Sequence, residues 1–316
     1  MLKASNMNSA TGLRRARAAG VALLIFSSAC LGETFRIATF NLESYLDAPT
    51  AARPAKSAES KAKIRESILA MRPDVLALQE VGSISALLEL RDSLKPEGLD
   101  LPYWQLVTGS DTNIHVALLS RFAFSANRPH TNENFLLNGR RFRVSRGFAE
   151  VDIEVEQHYS FTLIAAHLKS KRAMAQADEV ELRFEEAKLL REKIDARLAH
   201  DPDANLVVLG DFNDTQDAAS TREVMGRGKN RLIDTRPAER NGDFLPVADR
   251  SRERRCITWT HYYSKEDSYS RIDFLLLSRG MAREWVADET YVVTIPNWGL
   301  ASDHRPVVAT FKTMDR

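Results

Sequence analysis

Short apolar runs, rich in β-branched and aromatic residues, recur from residue 35 almost to the end of the chain, and a polar side chain stands at one end of most of them. Residues 35–40 alternate with the period of two that marks a strand, and Asn41 follows. Residues 74–78 are nearly continuous in apolar character, as in a strand covered on both faces, and Glu80 stands just beyond. Residues 161–166 end at His167, and residues 205–209 lead to Asp211 and Asn213. Two runs have the opposite polarity: Asp273 precedes residues 274–277, and Asp303 with His304 precedes residues 306–311. Further strands are predicted at 114–119, 148–155 and 291–295, with a hairpin turn at Gln157 and His158. Three segments carry helical spacing instead: 56–71, closed by Pro73; 84–94; and 179–198, where Leu182, Leu189, Leu190, Ile194 and Leu198 form an apolar stripe. No repeat or low-complexity linker divides residues 33–316, so one domain is expected, built of two packed sheets with helices outside.

If the first four polar-ended strands run one way and the last two run antiparallel to their neighbours, all these polar groups meet at one edge of the sheets. Rigid strand ends that aim polar groups at one place are where sites are built. Glu80, Asp211 and Asp303, with the amide oxygen of Asn41, form an all-oxygen donor set suited to a hard cation: Mg²⁺, Mn²⁺ or Ca²⁺. Crowded carboxylates raise one another's pKa, so such a cluster calls for a cation. His304 adjoins it, and Asp273 could orient its ring, which makes the pair a candidate for activating water. With only Cys30 and Cys256, the chain has neither a disulfide framework nor a cysteine zinc site.

The segments Thr39-Phe-Asn-Leu-Glu43, Leu78-Gln-Glu-Val81, Ala166-His-Leu-Lys-Ser170, Leu209-Gly-Asp-Phe-Asn-Asp214, Arg271-Ile-Asp-Phe274 and Ser302-Asp-His-Arg-Pro306 occur in this order. Together they resemble the endonuclease/exonuclease/phosphatase superfamily, with its deoxyribonuclease I-like and exonuclease III-like enzymes. The resemblance implies an α+β fold, a four-layer αββα sandwich of two mixed sheets flanked by helices, and metal-dependent hydrolysis of phosphate esters. It implies metal binding by Asn41 and Glu80 with Asp303 close by, an Asp273–His304 pair, and Asp211 and Asn213 positioning the nucleophile, leaving oxygen and phosphate. His167 would bond the scissile phosphate, and Arg146 is a weaker match to a phosphate-contacting arginine. Apurinic-site endonucleases usually carry tyrosine where this chain has His167, whereas the deoxyribonuclease-like and sphingomyelinase-like branches carry histidine. Trp298 stands alone near the C-terminus, with no recognisable aromatic membrane-wedging hairpin beside it.

Residues 1–32 hold Lys3, Arg14, Arg15 and Arg17 and no acid, followed by an apolar run at 18–26 and the small residues Ser27, Ser28 and Ala29. That pattern predicts a secretory signal peptide, cut after Ala29, which would leave Cys30 open to lipidation, or after Gly32. The run is too short to span a bilayer. Without it, 40 basic residues face 43 acidic ones, which excludes nucleic-acid binding by bulk charge alone. Local basic stretches at 140–143, 169–172, 227–231 and 250–255 could instead line a polynucleotide groove. The favoured reading is therefore an exported, monomeric, metal-dependent endonuclease or broad phosphodiesterase, with nucleic acid as substrate, no protein partner implied, and a membrane involved only if Cys30 is lipidated. The alternatives are a phosphatase or sphingomyelinase-like phosphoesterase, and a non-catalytic binding module on the same fold.

Overall fold

Alternation along the strands becomes two sheets packed face to face, each covered on its outer side by helices. The computed structural model describes residues 32–51, 53–240 and 257–313. Residues 1–31 of the expected leader, Cys256 and the basic stretch at 250–255 lie outside the described residues. In chain order the elements begin β1 (Thr34–Tyr45), α1 (Ala58–Met71), β2 (Val75–Val81), α2 (Ile84–Leu94), β3 (Tyr103–Val107), β4 (His115–Ser120) and β5 (Phe124–His130). They continue with β6 (Asn134–Leu137), β7 (Arg140–Arg143), β8 (Phe148–Glu156), β9 (Tyr159–His167), α3 (Glu179–His200), β10 (Leu206–Asp211) and α4 (Ala219–Met225). The last strands are β11 (Ile233–Asp234), β12 (Ala238–Glu239), β13 (His261–Tyr263), β14 (Ser268–Ser270), β15 (Asp273–Leu277), β16 (Trp285–Val292) and β17 (Val307–Lys312).

The first sheet has the order β12-β16-β17-β1-β2-β4-β3 and the second β11-β15-β10-β9-β8-β5; β6-β7 and β13-β14 are separate hairpins. Both sheets repeat one device at their centres. Two parallel strands, β1 with β2 and β9 with β10, are flanked by an antiparallel strand, β17 on β1 and β15 on β10. The strand directions postulated from the sequence are the observed ones.

Successive residues of a strand face opposite sides, which explains the continuous apolar runs. In β10, Val207 and Leu209 enter the core between the sheets, whereas Val208 points to the layer under α3 and α4. In β2, Val75 and Ala77 face the central core, and Leu76 and Leu78 meet Ile64, Ile68, Leu87 and Leu90 of α1 and α2. The result is the expected αββα order.

Helix α1 starts two residues later than its apolar spacing suggested, because the Ser57 hydroxyl caps the Ser60 amide, and it ends at the left-handed Arg72 before Pro73. The strand expected at 291–295 lies further upstream as β16, since its pairing with β17 shifts register between Val286 and Tyr291. Strands β3 and β5, each at a sheet edge, have no counterpart in the sequence reading. β5 alternates exposed and half-buried residues and carries Pro129, as an edge strand can but a central one cannot. Among the described residues no helix is long and apolar enough to cross a membrane.

Candidate active site

The polar strand ends meet at one rim shared by the two sheets. His167 and Asp211 are the last residues of β9 and β10 and pair in register; Asp273, first in β15, pairs with Asp211 on the other side. The backbones of β9 and β10 can approach this closely because residue 210 is glycine. A Cβ there would lie 2.0 Å from the Ala166 carbonyl oxygen, and its φ of +132° disfavours any other residue. In the first sheet, the β1–β2 register breaks between Asn41 and Tyr45, and the β2–β4 register breaks between Leu78 and Val81. These bulges hold Glu43, Ser44 and Glu80 at positive φ (47°, 62° and 64°) and re-aim their side chains at the rim.

Hydrogen bonds then knit the two sheets together. Asn41 Nδ2 donates to Asp211 Oδ2 at 2.9 Å, while its Oδ1 accepts the Glu43 amide at 3.0 Å. His304 Nδ1 lies 2.8 Å from Asp273 Oδ2, and its Nε2 is 3.8 Å from Asp211 Oδ2 and 3.9 Å from Asp303 Oδ1. The Ser302 hydroxyl fixes this loop by accepting the His304 amide and donating to the Asn41 carbonyl. His167 Nε2 stands 3.4 Å from Asp211 Oδ2. Asn213, at φ 54°, donates its amide to Asp211 Oδ1 (2.8 Å) and its side-chain Nδ2 to the Leu168 carbonyl (3.0 Å). Arg146 NH1 reaches the same carbonyl at 3.3 Å, so this arginine is a buried neighbour of the site, 5% exposed, and not a surface residue.

Burial sets the charges. Desolvation opposes a charged His304, but the carboxylates of Asp273 and Asp211 outweigh it and hold its pKa above the usual histidine range. Burial, followed by the cations Arg146, His304 and Arg53, pushes His167 well below that range and keeps it neutral. Burial also raises the Asp211 carboxyl, with the His304 charge pulling the other way. On the first-sheet side, burial and then Asp303 raise Glu43, and Glu80 adds to the effect; Lys56 opposes it. Glu80 itself accepts from Ser44 and pairs with Arg53 at 3.0 Å.

A sequence profile of the endonuclease/exonuclease/phosphatase family matches residues 38–304, a span that contains every one of these groups. The chain belongs to that family. No curated protein sequence matches it. Its fold is similar to that of truncated TDP2 from Caenorhabditis elegans (TM-score 0.58, 16% identity, covering 89% of this chain and 98% of that one). It is similar also to the human nocturnin catalytic domain, solved with bound sulfate (0.59, 17%, 88% and 94%), and to sphingomyelinase C from Streptomyces griseocarneus (0.55, 19%, 89% and 100%). Endonuclease/exonuclease/phosphatase proteins are hydrolases of phosphate esters that generally use a divalent metal. The donor chemistry here fits one: Asn41, Glu43, Glu80 and Asp303 offer oxygen ligands, and the acids among them crowd one another. Groups of three His or Asp whose ligand atoms lie within 4.8 Å of one another are, among the described residues, His261–Asp303–His304 and Asp211–Asp273–His304.

Several residues of this family member's rim were not singled out in the sequence. His261 bridges to the backbone of His304, packs its ring 4.6 Å from the His304 ring, and places Nε2 3.6 Å from Asp303. Glu43 and Arg53 arrive from a bulge and a loop, where no periodicity marks them, and Lys56 from just ahead of α1, off the apolar stripe of the helical spacing it opens. Trp298 does not stand alone, as the sequence suggested. It packs 5.4 Å from Trp259, which also meets Tyr269 and lies under Arg305. Tyr262 stacks on Tyr269, so β13-β14 is an aromatic hairpin beside the site, with Tyr263 and Tyr269 exposed. Chain separation hid this cluster, which forms only when the hairpin folds back against residues 298–300.

Proposed function

We propose that this protein is an exported, divalent-metal-dependent phosphodiesterase that cleaves nucleic acid. The observation that carries the hydrolytic reading is the His304–Asp273 pair at 2.8 Å, next to a crowded oxygen-donor cluster. With Nδ1 held by Asp273, His304 presents Nε2 as the atom that exchanges a proton with the reacting oxygens: the charged ring, which these carboxylates favour, gives one to the leaving oxygen, and the neutral ring takes one from attacking water. Asp273 keeps the ring oriented and stabilises the imidazolium that forms. Asp211, tied to Asn41 and to the Asn213 amide, would orient that water or the leaving oxygen. Neutral His167, Asn213 and Arg146 would donate to non-bridging oxygens as charge builds on them. Glu80, Asn41 and Asp303, helped by Glu43, would hold a Mg²⁺, Mn²⁺ or Ca²⁺ ion, which supplies charge neutralisation of the phosphate and of the leaving oxygen.

Nucleic acid is favoured as substrate because Lys171, Arg172 and Lys265 line a cleft of about 680 Å³ that also contains Asn213, His261 and Asp303. The test is cleavage of plasmid DNA and RNA with Mg²⁺, Mn²⁺ or EDTA; intact nucleic acid under every metal would end this reading. The exposed aromatic hairpin supports a second one, a sphingomyelinase-like phosphoesterase, for which sphingomyelin is assayed beside the nucleic acids. Export is tested by fractionating cells that express the full chain and sequencing the mature N-terminus, with Cys30→Ser as the check on lipidation. Full-length protein retained in the cytoplasm would remove it.

A further inference from the structure

A smaller cavity, about 290 Å³, adjoins the catalytic cleft. Arg53, Arg146, Lys169 and Arg172 line it, against a single carboxylate, Asp111. It is continuous with the cleft, because Ser170 and Arg172 line both. Arg146 donates to Leu168 O and lies 3.5 Å from Asp111, and among the described residues its buried Nε has no hydrogen-bond partner, so its charge is incompletely matched. Among the described residues, the acceptors at hydrogen-bond distance from Lys169 Nζ are neutral, the carbonyls of Ser170 and Arg172, 2.9 Å each. Arg53 is shared with Glu80 at the rim, so the cavity touches the oxygen-donor cluster itself.

The walls are fixed from behind by α3. The buried Glu186 carboxylate accepts the Ser145 amide and hydroxyl (2.8 and 2.6 Å) and the Lys169 amide (2.7 Å), tying the two loops that carry Arg146 and Lys169. Arg183 adds a bond to the Lys169 carbonyl at 3.0 Å and one to Asp214 at 3.0 Å. Gly147 lets the Arg146 loop lie flat: at φ +69°, a Cβ would come within 2.6 Å of two carbonyl oxygens, those of His130 and Thr108. A rigid, cation-lined recess loses little entropy on taking an anion.

We propose that this cavity is an anion subsite that receives a second phosphate of the substrate, next to the ester being cleaved. The inference rests on the phosphodiesterase reading and narrows it to polyanionic esters; a single phosphate bearing a cationic head group would meet repulsion here. The second phosphate belongs either to the next link of a polynucleotide or to the terminus of a small nucleotide.

The test is equilibrium binding in EDTA, where nothing is hydrolysed. Thymidine 3′,5′-bisphosphate is expected to bind wild-type protein about tenfold more tightly than thymidine 5′-monophosphate. Arg172→Ala, at an exposed position whose loss leaves the fold intact, should cut that advantage to about threefold, and Arg53→Ala with Arg172→Ala should erase it. Equal affinities in the wild type, or an advantage untouched in both variants, would overturn the subsite. Tighter binding of an oligothymidylate than of the bisphosphate assigns the site to a chain phosphate, and equal binding assigns it to a terminal one. Plasmid cleavage is scored separately: uncut DNA with the bisphosphate preference intact sinks the nuclease reading alone, and cut DNA without the preference sinks the subsite alone.

Discussion

The two sheets bring the same device to the rim and make opposite environments of it. On the second sheet, the side chains of His167, Asp211 and Asp273 are 1–2% exposed. On the first, Asn41 and His304, which face them, are buried as well (2% and 6%), whereas Glu80 is 18%, Asp303 39% and Glu43 50% exposed. The difference follows from how the strands end. β9 and β10 stay in register to their last residues, opposite the first residue of β15, with Phe212 and Phe274 stacked on each other next in the chain, whereas β1 and β2 bulge outward before they finish. An ion and water can enter and leave the open half. In the closed part of the rim, which His304 joins from the first sheet, low dielectric makes each charge depend on its partners, which is why two histidines only a few ångströms from the same carboxylate are driven in opposite directions.

The largest effects should fall on turnover, and metal should tell the halves apart. His304→Ala and Glu80→Gln are each expected to slow nucleic-acid cleavage by about 10²–10⁴-fold with the fold intact. Raising Mg²⁺ should recover part of the Glu80→Gln loss and none of the His304→Ala loss; identical metal titrations for both would erase the functional distinction between the halves. EDTA should abolish wild-type activity, and added Mg²⁺ or Mn²⁺ should restore it.

Next comes stability. Asp273→Ala leaves the buried His304 charge without its closest partner and should cost about 3–5 kcal/mol in urea unfolding. Glu43→Gln removes one of three mutually repelling acids at the open edge and should be neutral or stabilising by up to about 1 kcal/mol in EDTA. Equal losses would mean that exposure does not govern these charges.

The pH dependence of metal-free stability separates the two histidines. The folded-state pKa of His304 is raised, so its contribution is full below about 6.5 and is lost as pH climbs through the folded value, pushed up to about 10. For His167 the folded value is depressed, so its contribution is present above about 6.5 and is lost as pH falls below it. Unfolding curves should therefore weaken on both sides, with His304→Gln flattening the alkaline limb and His167→Gln the acid one. Histidine ring resonances followed by NMR give the same ordering directly, and a His167 that titrates above His304 would reverse it. The smallest effect is on substrate capture: cleavage of DNA should fall steeply with added salt, whereas a salt-insensitive rate would favour the lipid reading.

Much of the site was legible because strand periodicity is local and strand ends are easily found. Asn41, His167, Asp211, Asp273 and His304 each sit within two residues of an apolar run, and the structure brings them together. What escaped notice came from places without a period. Glu43 lies in a bulge, Arg53 in a loop, Lys56 just ahead of α1 and off its apolar stripe, and His261 on a three-residue strand bridged to His304 from 43 positions away. Arg146 carried an ambiguous signal. Its burial shows only in the fold, where Glu186 and Gly147 fix its loop and the guanidinium meets the Leu168 carbonyl.

Layering, strand direction and the polar residues that end the strands at the rim could be read from the chain, because alternation and turn chemistry act over a few residues at a time. Which histidine carries a proton, which carboxylates crowd, and that four cations share one recess could not. Those properties depend on through-space distance and on the loss of solvent, and both exist only once two sheets, a helix and several loops have closed on one another.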